Sequence, residues 1–581
     1  MLFIFYILLS KSECLHEYAQ SHISQYKSEF NMKKIESFDQ NRKQIRLVFD
    51  TGLIEDRTDD KMCKYQGEVI SWFLFKDPVV CTQKDLVTNQ MFKVINETLS
   101  NVKSYIESIL MVNRLTAPID LLPIRDVNIT NKQSESDLHV AVVARPFGTV
   151  SSAQAVAIHH QQSESNKRPI TGAIFINPTR IPEQSQSLAS IPRDFFETLL
   201  HELCHILGIS SSLFGHWIDP STDLQYSEFP ASVHIDPKYP NKSYHLIHTQ
   251  QASLFVQERF GITEFAPGIP AGIEFEPGLS GTKVDSHPSS RVYFSELMGS
   301  VYLGKRVISN LTLSLLQDTG WYNVKRIDAE PLYWGDGKSI LSTPIKSFLS
   351  GPPQVSFPRH YLCWPNESKN QCFYDYSGPA LCSSTVKVNC SANEETKSGF
   401  CTSKDFYNPQ ELDQRGTSNI FDYMMVKSLY RFRQCTDSSL TSSEKAENGE
   451  TYGMKSFCAI STLKKGNSSN ESFPRCFEML CSPFNHLLIK VNGDYKLCST
   501  ENQEVMYKGY QGSIKCPNPK HICGIIRVHD DSFSKKVFLL LSISFFFMVL
   551  LICSIILCIY CYNHKQKELI DERTMDLPLV A

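Results

Sequence analysis

The chain has 581 residues, of which 42% are hydrophobic and 20% are charged, a composition typical of a folded protein with several domains. Its 58 lysines and arginines nearly balance 61 acidic residues, so the formal net charge is only -3. Because nothing in this balance favours a polyanionic partner, nucleic-acid binding is not predicted.

The N-terminal residues have the pattern of a secretory signal peptide. Residues 2–9, LFIFYILL, form a short apolar stretch, and small polar residues follow at Ser10 and Ser12. This order is typical of a cleaved signal, although the usual basic residues before the apolar stretch are missing. We predict a signal peptide over residues 1–12, with a buried N-terminal strand or a misassigned start as the alternatives.

The next segments predict a leader and then a mixed α/β domain. Residues 13–43 are polar and charged, with little periodic apolar content, and indicate a removable propeptide. QIRLVFD at 44–50 begins strand-like alternation, and apolar residues at helical spacing predict a long helix over 87–112. LHVAVVA and GAIFINP are short β-rich runs that end at prolines 146 and 178.

The stretch FFETLLHELCHILGIS at 195–210 carries the first candidate site. On a helix, His201 and His205 lie one turn apart on the same face, and Glu202 flanks them. Pro192 suits the first turn of this helix, and Gly208 suits its left-handed end. A buried helix explains the leucines without a metal, but burying two unpaired histidines beside a glutamate costs free energy. The pattern therefore predicts half of a zinc site.

A third ligand is expected much further along the chain, in VDSHPSSRVYFSELMGS. His287 lies 79 residues after Gly208 and eleven residues before Met298. This arrangement resembles the leishmanolysin family, membrane-associated metzincin zinc proteases with a large insertion between the glycine and the third histidine. Matching positions are Ser286, His287, Arg291 and the Glu-Leu-Met at 296–298.

The resemblance extends over residues 44–523. RPITGAIFINPTRI, LTLSLLQDTGWYNV and EPLYWGDGK resemble blocks of the catalytic part of the family, in the same order, and CFYDYSGPALC and RCFEMLCS resemble blocks of its cysteine-rich part. It implies an α+β fold. A metzincin-type catalytic region over 44–330, with a mixed twisted sheet, an active-site helix and an insertion at 209–286, precedes a mostly β, cysteine-rich domain over 331–530.

The resemblance also implies the chemistry. One catalytic Zn²⁺ is held by His201, His205 and His287, with Glu202 as the general base for a zinc-activated water. Met298 belongs to a tight turn, the methionine turn, which forms a hydrophobic floor below the three histidines. The substrates are proteins or peptides, bound as an extended strand against an edge of the sheet.

Two departures from the family concern the zinc ligands. Pro288 stands where an aromatic residue is usual and restricts the backbone of His287. Cys204 stands where a small residue is usual, and we predict a buried apolar thiol. Four histidines outside the motif compete as ligands: His159 and His160 are predicted to lie in a solvated loop, and His245 and His248 lie in the insertion. A last alternative for the third ligand is His234.

ECLHEY at 13–18 resembles the inhibitory cysteine switch of the family. In that reading the Cys14 thiolate occupies the open zinc position until the leader is removed. An ordinary disulfide cysteine and a truncated gene model are the alternatives.

The other cysteines indicate an oxidising compartment. Of the 19 cysteines, twelve lie within residues 363–523, a density typical of a disulfide-stapled module. Without Cys14, Cys204 and the three at 553, 558 and 561, fourteen remain, enough for seven bridges. Cys63 and Cys81 bracket a stretch that a local disulfide would close. Eight Asn-x-Ser/Thr sequons before residue 537 agree with a secreted, glycosylated ectodomain.

Near the C-terminus, residues 537–562 are predicted to form a transmembrane helix. They include no charged side chain and, as a helix, would reach roughly 39 Å, enough to cross a bilayer core with some tilt. With the signal peptide, this predicts a type I, cell-surface protein with a cytoplasmic tail at 563–581. The predicted function is a surface zinc endopeptidase. The alternatives are a catalytically silent adhesion or receptor protein and a zinc hydrolase acting on non-peptide substrates.

Overall fold

The computed structural model describes most of the chain between residues 14 and 530. The described ranges are 14–24, 38–129, 131–148, 153–278, 283–326, 329–390, 399–441, 443–466, 471–482 and 485–530, with isolated positions between 548 and 559. The predicted signal peptide and tail lie outside them, as does most of the predicted span at 537–562. Among the described residues, no helix is both long and apolar enough to cross a bilayer.

Helices of nine residues or more occur at five places in the described chain. They are α1 (His16–Ser24), α2 (Asn89–Ile109), α3 (Asp194–Leu207), α4 (Gln250–Phe260) and α5 (Asn310–Asp318). Shorter α-helical turns are Gly52–Glu55, Ser290–Tyr293, Gly337–Leu341, Pro353–Ser356, Gly399–Thr402, Lys404–Tyr407 and Ser443–Glu447, and 3₁₀ turns are Gln83–Asp85, Pro178–Arg180, Phe214–His216, Lys346–Phe348, Arg359–Tyr361 and Ser438–Leu440.

The predicted long helix is confirmed, with shorter bounds. It begins after Thr88, whose hydroxyl accepts a hydrogen bond from the Met91 N–H (3.1 Å), as a helix N-cap does. It ends at Ile109, where the chain passes directly into a strand. The apolar face of this helix is buried.

The strands of the first half form three main sheets. The strands are β1 (Phe38–Gln44), β2 (Leu47–Asp50), β3 (Leu110–Leu115), β4 (Leu138–Ala144), β5 (Ala155–His159), β6 (Thr171–Ile176), β7 (Ala231–Ile235), β8 (Ser243–Ile247), β9 (Ile273–Pro277), β10 (Val284–Pro288) and β11 (Asn323–Val324). One sheet has the order β1-β3-β11, and a second, within the predicted insertion, has the order β7-β8-β9-β10.

The sheet that carries the site has the order β2-β4-β6-β5. Strands β2, β4 and β6 are parallel, whereas β5 is antiparallel to β6 and forms one edge. Every residue of β4, β5 and β6 is buried, as expected for strands covered on both faces. The mixed sheet predicted from the resemblance is therefore present, and the structure adds that its edge strand β5 is antiparallel.

Helix α3 packs closely on this sheet at Gly172. A side chain there would lie 2.8 Å from Cγ2 of Ile206 and 2.7 Å from the Ile158 carbonyl, so only glycine permits this approach. The opposite part of the core is aromatic, with Trp72 stacked on Phe175 at 5.3 Å between ring centroids. The close helix–sheet contact places the motif of α3 beside edge strand β5.

The second half is cysteine-rich and dominated by antiparallel strands, as predicted. Its strands are β12 (Asn370–Cys372), β13 (Pro379–Cys382), β14 (Lys427–Leu429), β15 (Ser456–Ser461), β16 (Phe473–Cys481), β17 (Leu487–Val491), β18 (Asp494–Cys498), β19 (Glu504–Val505) and β20 (Ile514–Lys515). They form a sheet β12-β13-β14 and a six-stranded sheet β18-β17-β16-β15-β20-β19. Two-stranded ribbons elsewhere are Val69–Ile70 with Val79–Val80, Ile119–Asp120 with Gln133–Ser134, Ile218–Asp219 with Leu224–Gln225, Glu264–Ala266 with Ile269–Pro270, and Thr385–Lys387 with Gln414–Gly416.

Seven disulfides use the fourteen cysteines that the sequence set aside for pairing. The bridges are Cys63–Cys81, Cys363–Cys382, Cys372–Cys458, Cys390–Cys401, Cys435–Cys476, Cys481–Cys523 and Cys498–Cys516. Cys14 and Cys204 are free, and Cys204 is buried, as predicted. Residues 1–525 group into one unit and residues 526–581 into another; the domain boundary near residue 330 stays a prediction.

Candidate metal centre

Helix α3 presents His201, Glu202 and His205 from a fully buried position. The helix begins at Asp194, so the prediction that Pro192 lies in its first turn is wrong. The start is set instead by Gln186, whose side-chain oxygen accepts hydrogen bonds from the N–H groups of the first turn at 2.7 and 3.2 Å. This distant side chain satisfies donors that a helix leaves unpaired at its N-terminus.

Gly208 ends the helix, as predicted. Its φ is +140°, and its N–H bonds back to the carbonyls of Cys204 and His205. A side chain at this position would lie 2.9 Å from the Trp321 ring. Both the backbone conformation and the lack of space therefore require glycine, and the chain turns away so that the Ile209 carbonyl faces His205.

His287 reaches the same place from strand β10. The ring centroids of His201, His205 and His287 are separated by 4.6, 4.9 and 5.4 Å. One ligand atom from each histidine, together with the Cys14 sulfur, lies within 4.8 Å of every other. The structure thus brings together four of the residues that the sequence singled out. Among the described residues, no other cluster of this kind contains three potential ligands.

The hydrogen bonds on the far side of each ring fix which nitrogen faces the centre. Nδ1 of His201 bonds to the Leu297 carbonyl (2.8 Å), and Nδ1 of His205 bonds to the Ile209 carbonyl (2.7 Å). Because a carbonyl can only accept, both Nδ1 atoms donate, and the neutral rings turn an Nε2 lone pair inward.

His287 is arranged in the same way by a carboxylate. Its Nδ1 lies 2.7 Å from Oδ1 of Asp285, and its buried Nε2 has no hydrogen-bond partner among the described residues. Nε2 of His201 and Nε2 of His205 are 3.1 Å apart, with no proton available between them in these tautomers. Converging lone pairs repel each other unless a cation lies between them, so this donor set fits zinc, which prefers imidazole nitrogen.

Burial also keeps these rings neutral, the form that binds a metal. Burial lowers the pKa of His201 well below its usual value, and the positive charge of Arg306 adds to this effect. Burial likewise lowers the pKa of His205, with a further contribution from His16.

Glu202 lies beside the ring nitrogens with one unused oxygen. The Ala157 N–H of edge strand β5 favours its charged form and so lowers its pKa, and its Oε2 is buried without a partner in the described chain. Burial raises the pKa of Glu202 to about 8, against the opposing charge of Arg306. A carboxylate that binds a proton near neutral pH is suited to general acid–base chemistry.

The leader covers this centre. The Cys14 sulfur lies 3.6 Å from Nε2 of His205 and 3.6 Å from Oε1 of Glu202. Two residues later, the His16 ring stacks on His205 at 4.0 Å between centroids and bonds to the Ala157 carbonyl (2.8 Å). The leader segment therefore occupies both the metal side and the strand side of the site.

Helix α1 extends this cover along β5. The Gln20 side chain accepts from the His159 N–H (3.1 Å) and donates to the His159 carbonyl (3.3 Å), much as a neighbouring strand would. His159 is the buried last residue of β5, so the prediction of a solvated loop is wrong for this residue. His160 follows the strand outside regular secondary structure and is half-buried. Local polar neighbours suggested exposure, but the leader buries this edge.

The methionine turn lies beneath the histidines. Met298 is fully buried, and the carbonyl before it, on Leu297, holds His201. The turn is fixed by Glu296, whose carboxylate accepts from the Met298 N–H (2.6 Å), Ser309 (2.9 Å) and Thr312 (2.8 Å). The sequence indicated Glu296 only as part of the family motif and did not predict these hydrogen bonds, which fix the turn.

The competing histidines lie elsewhere in the insertion. His234 bonds to Ser232 (2.7 Å) on β7, and His245 bonds to Ser243 (3.3 Å) on β8. Neither these two nor His248 belongs to the cluster. Asp285 was missed, although a carboxylate two residues before a ligand on a strand points to the same side, which is a usable signal.

Comparison with known proteins identifies the family. The family model described as leishmanolysin matches residues 16–528. The chain belongs to the leishmanolysin family. The predicted resemblance is therefore confirmed over nearly the whole described chain.

Individual relatives of this family are distant. A leishmanolysin homolog from Crithidia fasciculata is 23% identical over 495 residues, covering 81% of this chain and 69% of that protein. The ciliated left-right organizer metallopeptidase of Xenopus laevis is 24% identical over 365 residues, covering 61% of this chain and 42% of that protein. The human protein of the same name is 29% identical over 178 residues, covering 30% of this chain and 21% of that protein. The matched region thus spans less than half of these two metallopeptidases.

Proposed function

We propose that the chain is a zinc-dependent endopeptidase. The observation that carries this proposal is the convergence of three imidazole Nε2 atoms beside a buried glutamate with an unused oxygen. His201, His205 and His287 would hold the ion. When bound in such a site, zinc lowers the pKa of a water and polarises a carbonyl oxygen.

The chain's own residues supply the proton transfer. Glu202 takes a proton from the attacking water at Oε2 and passes it to the amide nitrogen that leaves. The Ala157 N–H of β5 favours the charged form of this carboxylate, the form that accepts the proton. A catalytically silent receptor has no need of such a base, so Glu202 favours the enzyme.

Substrate orientation comes from edge strand β5. Its outer backbone groups at Ala157 and His159 are the ones that His16 and Gln20 now occupy. With the leader gone, an extended peptide pairs with the same groups, which places its backbone alongside Glu202. We further propose that the leader keeps the protein latent, with Cys14 as the inhibitory ligand.

The predicted signal peptide and the predicted span at 537–562 support a type I protein with its catalytic region outside the cell. The seven disulfides agree with that compartment, since structural disulfides persist in oxidising surroundings. We propose the cell surface as its location.

The test uses the full chain with Cys14→Ala, which opens the site. We expect cleavage of a denatured protein that a zinc chelator abolishes and added zinc restores. A second change, Glu202→Ala, should lower the rate by about 10²–10⁴-fold while bound zinc, measured by metal analysis, is retained. Glu367→Ala, a surface change in the cysteine-rich half, serves as the control. Chelator-resistant cleavage, or cleavage unaffected by Glu202→Ala, would refute the assignment.

A further inference from the structure

A small polar cavity of about 130 Å³ opens beside Glu202 and Cys14. Its walls include the start of β5, one face of α3 from Asp194 to Glu202, and the segment after the methionine turn, which contributes Tyr302 and Arg306. Because Cys14 lines the cavity, removal of the leader would enlarge the cavity on the side of the metal centre.

Arg306 in this cavity is a buried cation whose charge favours the ionised carboxylates of Glu202 and Glu197 nearby. Its exposed fraction is 5%. Its Nη1 donates to the Thr198 hydroxyl (3.3 Å), and its buried Nε has no hydrogen-bond partner among the described residues. No carboxylate of the described chain forms an ion pair with it.

The other charges at the cavity are arranged differently. Arg431 reaches in from the cysteine-rich half and pairs with Asp194 at 2.7 Å, so these two charges offset each other. Arg180, also in the wall, is exposed to solvent. Arg306 is therefore a buried charge of this cavity that no carboxylate of the described chain contacts directly.

A buried arginine without a directly contacting carboxylate is costly and cannot be relieved by losing its proton. A carboxylate entering the cavity would meet the Arg306 guanidinium that lines it and gain a charge-assisted hydrogen bond. The position also indicates which part of a substrate enters. Glu202 must reach the leaving amide nitrogen, so the residue that contributes this nitrogen has its side chain next to Glu202 and the cavity.

We propose that Arg306 is a specificity-determining residue that selects substrates with a carboxylate on the residue directly after the scissile bond. This inference rests on the proposed peptidase function. The carboxylate comes either from an aspartate or glutamate side chain at that position or from the C-terminus of a substrate that ends there.

The first experiment uses the full chain with Cys14→Ala and quenched peptides that differ only after the scissile bond. We expect kcat/KM for the glutamate peptide to exceed that for the glutamine peptide by about tenfold or more, mainly through KM. A further pair of peptides ends at that residue, one as a free acid and the other as an amide. Comparing them shows whether the preferred carboxylate is a side chain or the C-terminus of the substrate.

Variants at the cavity then test the residue. Arg306→Gln should bring the glutamate-to-glutamine ratio close to one while the glutamine peptide is still cleaved, and Arg306→Glu should favour a lysine peptide. Arg359→Gln, a change at an exposed arginine far along the chain, should leave the ratio unchanged. Equal cleavage of the acidic and neutral peptides by the parent protein overturns the proposal. So does an equal loss for both peptides in Arg306→Gln, which would mean that Arg306 serves Glu202 alone.

A binding measurement keeps this test separate from the peptidase assignment. In the Cys14→Ala/Glu202→Ala protein, calorimetry should show tighter binding of a peptide with an N-terminal glutamate than of its glutamine counterpart. Adding Arg306→Gln should remove the difference, with bound zinc and thermal unfolding checked for each variant. If no peptide is cleaved by the Cys14→Ala protein but the binding difference is present, the peptidase function fails and the carboxylate site stands. Equal binding of the two peptides overturns the carboxylate site.

Discussion

At the scale of single residues, the candidate centre depends on what lies behind each histidine. Two of the three Nδ1 atoms donate to backbone carbonyls, which the fold itself holds in place. The third donates to Asp285, a side chain two residues earlier on strand β10, which also carries His287. Such partners set the tautomer and orientation of a ligand, and Asp285 is the one that substitution can remove.

Asp285→Ala should therefore weaken zinc binding without removing a ligand. Loss of such a partner typically lowers metal affinity about 10–100-fold. Competition with a chelator of known affinity measures this loss, and excess zinc should restore activity in part. Asp285→Asn keeps an acceptor for Nδ1 of His287, so its zinc affinity should lie between that of the parent protein and that of Asp285→Ala. Asp494→Ala, at a surface turn, is the matched control; an unchanged zinc affinity in Asp285→Ala would mean that Asp285 does not orient His287.

At the scale of elements, the segment with His287 is anchored by Arg291. This fully buried guanidinium contacts Glu274 on β9, lies 2.9 Å from Asp422 in the cysteine-rich half, and donates to the Leu349 carbonyl at 2.6 Å. Its backbone carbonyl accepts from Trp334. One residue thus ties the third ligand's strand to both halves of the structure.

Arg291→Met should destabilise the fold by about 3–5 kcal/mol, because it leaves buried carboxylates without a cation. Removing Glu274 as well, in Arg291→Met/Glu274→Met, should cost less than the sum of the two single changes. Thermal unfolding of the three variants measures this coupling. Arg359→Met, which breaks an exposed pair with Glu367, should change stability by less than about 1 kcal/mol. Strict additivity of Arg291 and Glu274 would show that the pair is not coupled.

These elements also show what the sequence could predict. The i, i+4 histidines and the buried strands were predictable because local periodicity encodes them. The third ligand, His287, could be predicted only from the family resemblance, because no local pattern links Gly208 to a residue 79 positions later. The start of α3 was misjudged because it is set by Gln186, and His159 was misjudged because the leader covers it. Both errors arise from side-chain contacts that local periodicity does not encode, over nine residues for Gln186 and Phe195 and over 139 for Gln20 and His159.

At the scale of the whole molecule, the leader holds its place through two separate groups of contacts. Cys14 and His16 lie on the metal side, next to His205. Further along, Gln20 pairs with the backbone of β5 at His159, and Glu17 bonds to Ser211 at 2.9 Å. Releasing one group leaves the other in position, so latency is predicted to be lost in steps.

The full chain should therefore gain activity in two stages. Cys14→Ala frees the metal side and raises the initial rate on a quenched peptide. Adding Gln20→Ala removes two hydrogen bonds, each worth about 1 kcal/mol, and should raise the rate by a further fivefold or more as the edge strand becomes free for substrate. Ser21→Ala is the control, because within the described chain this hydroxyl on the same helix bonds only to its neighbours Tyr18 and His22. Limited proteolysis should cut the leader faster in the same order. The double variant Cys14→Ala/Gln20→Ala could instead show the same cleavage rate and the same rate of leader proteolysis as Cys14→Ala. In that case the cover over β5 would not contribute to latency, and the thiol alone would hold the protein inactive.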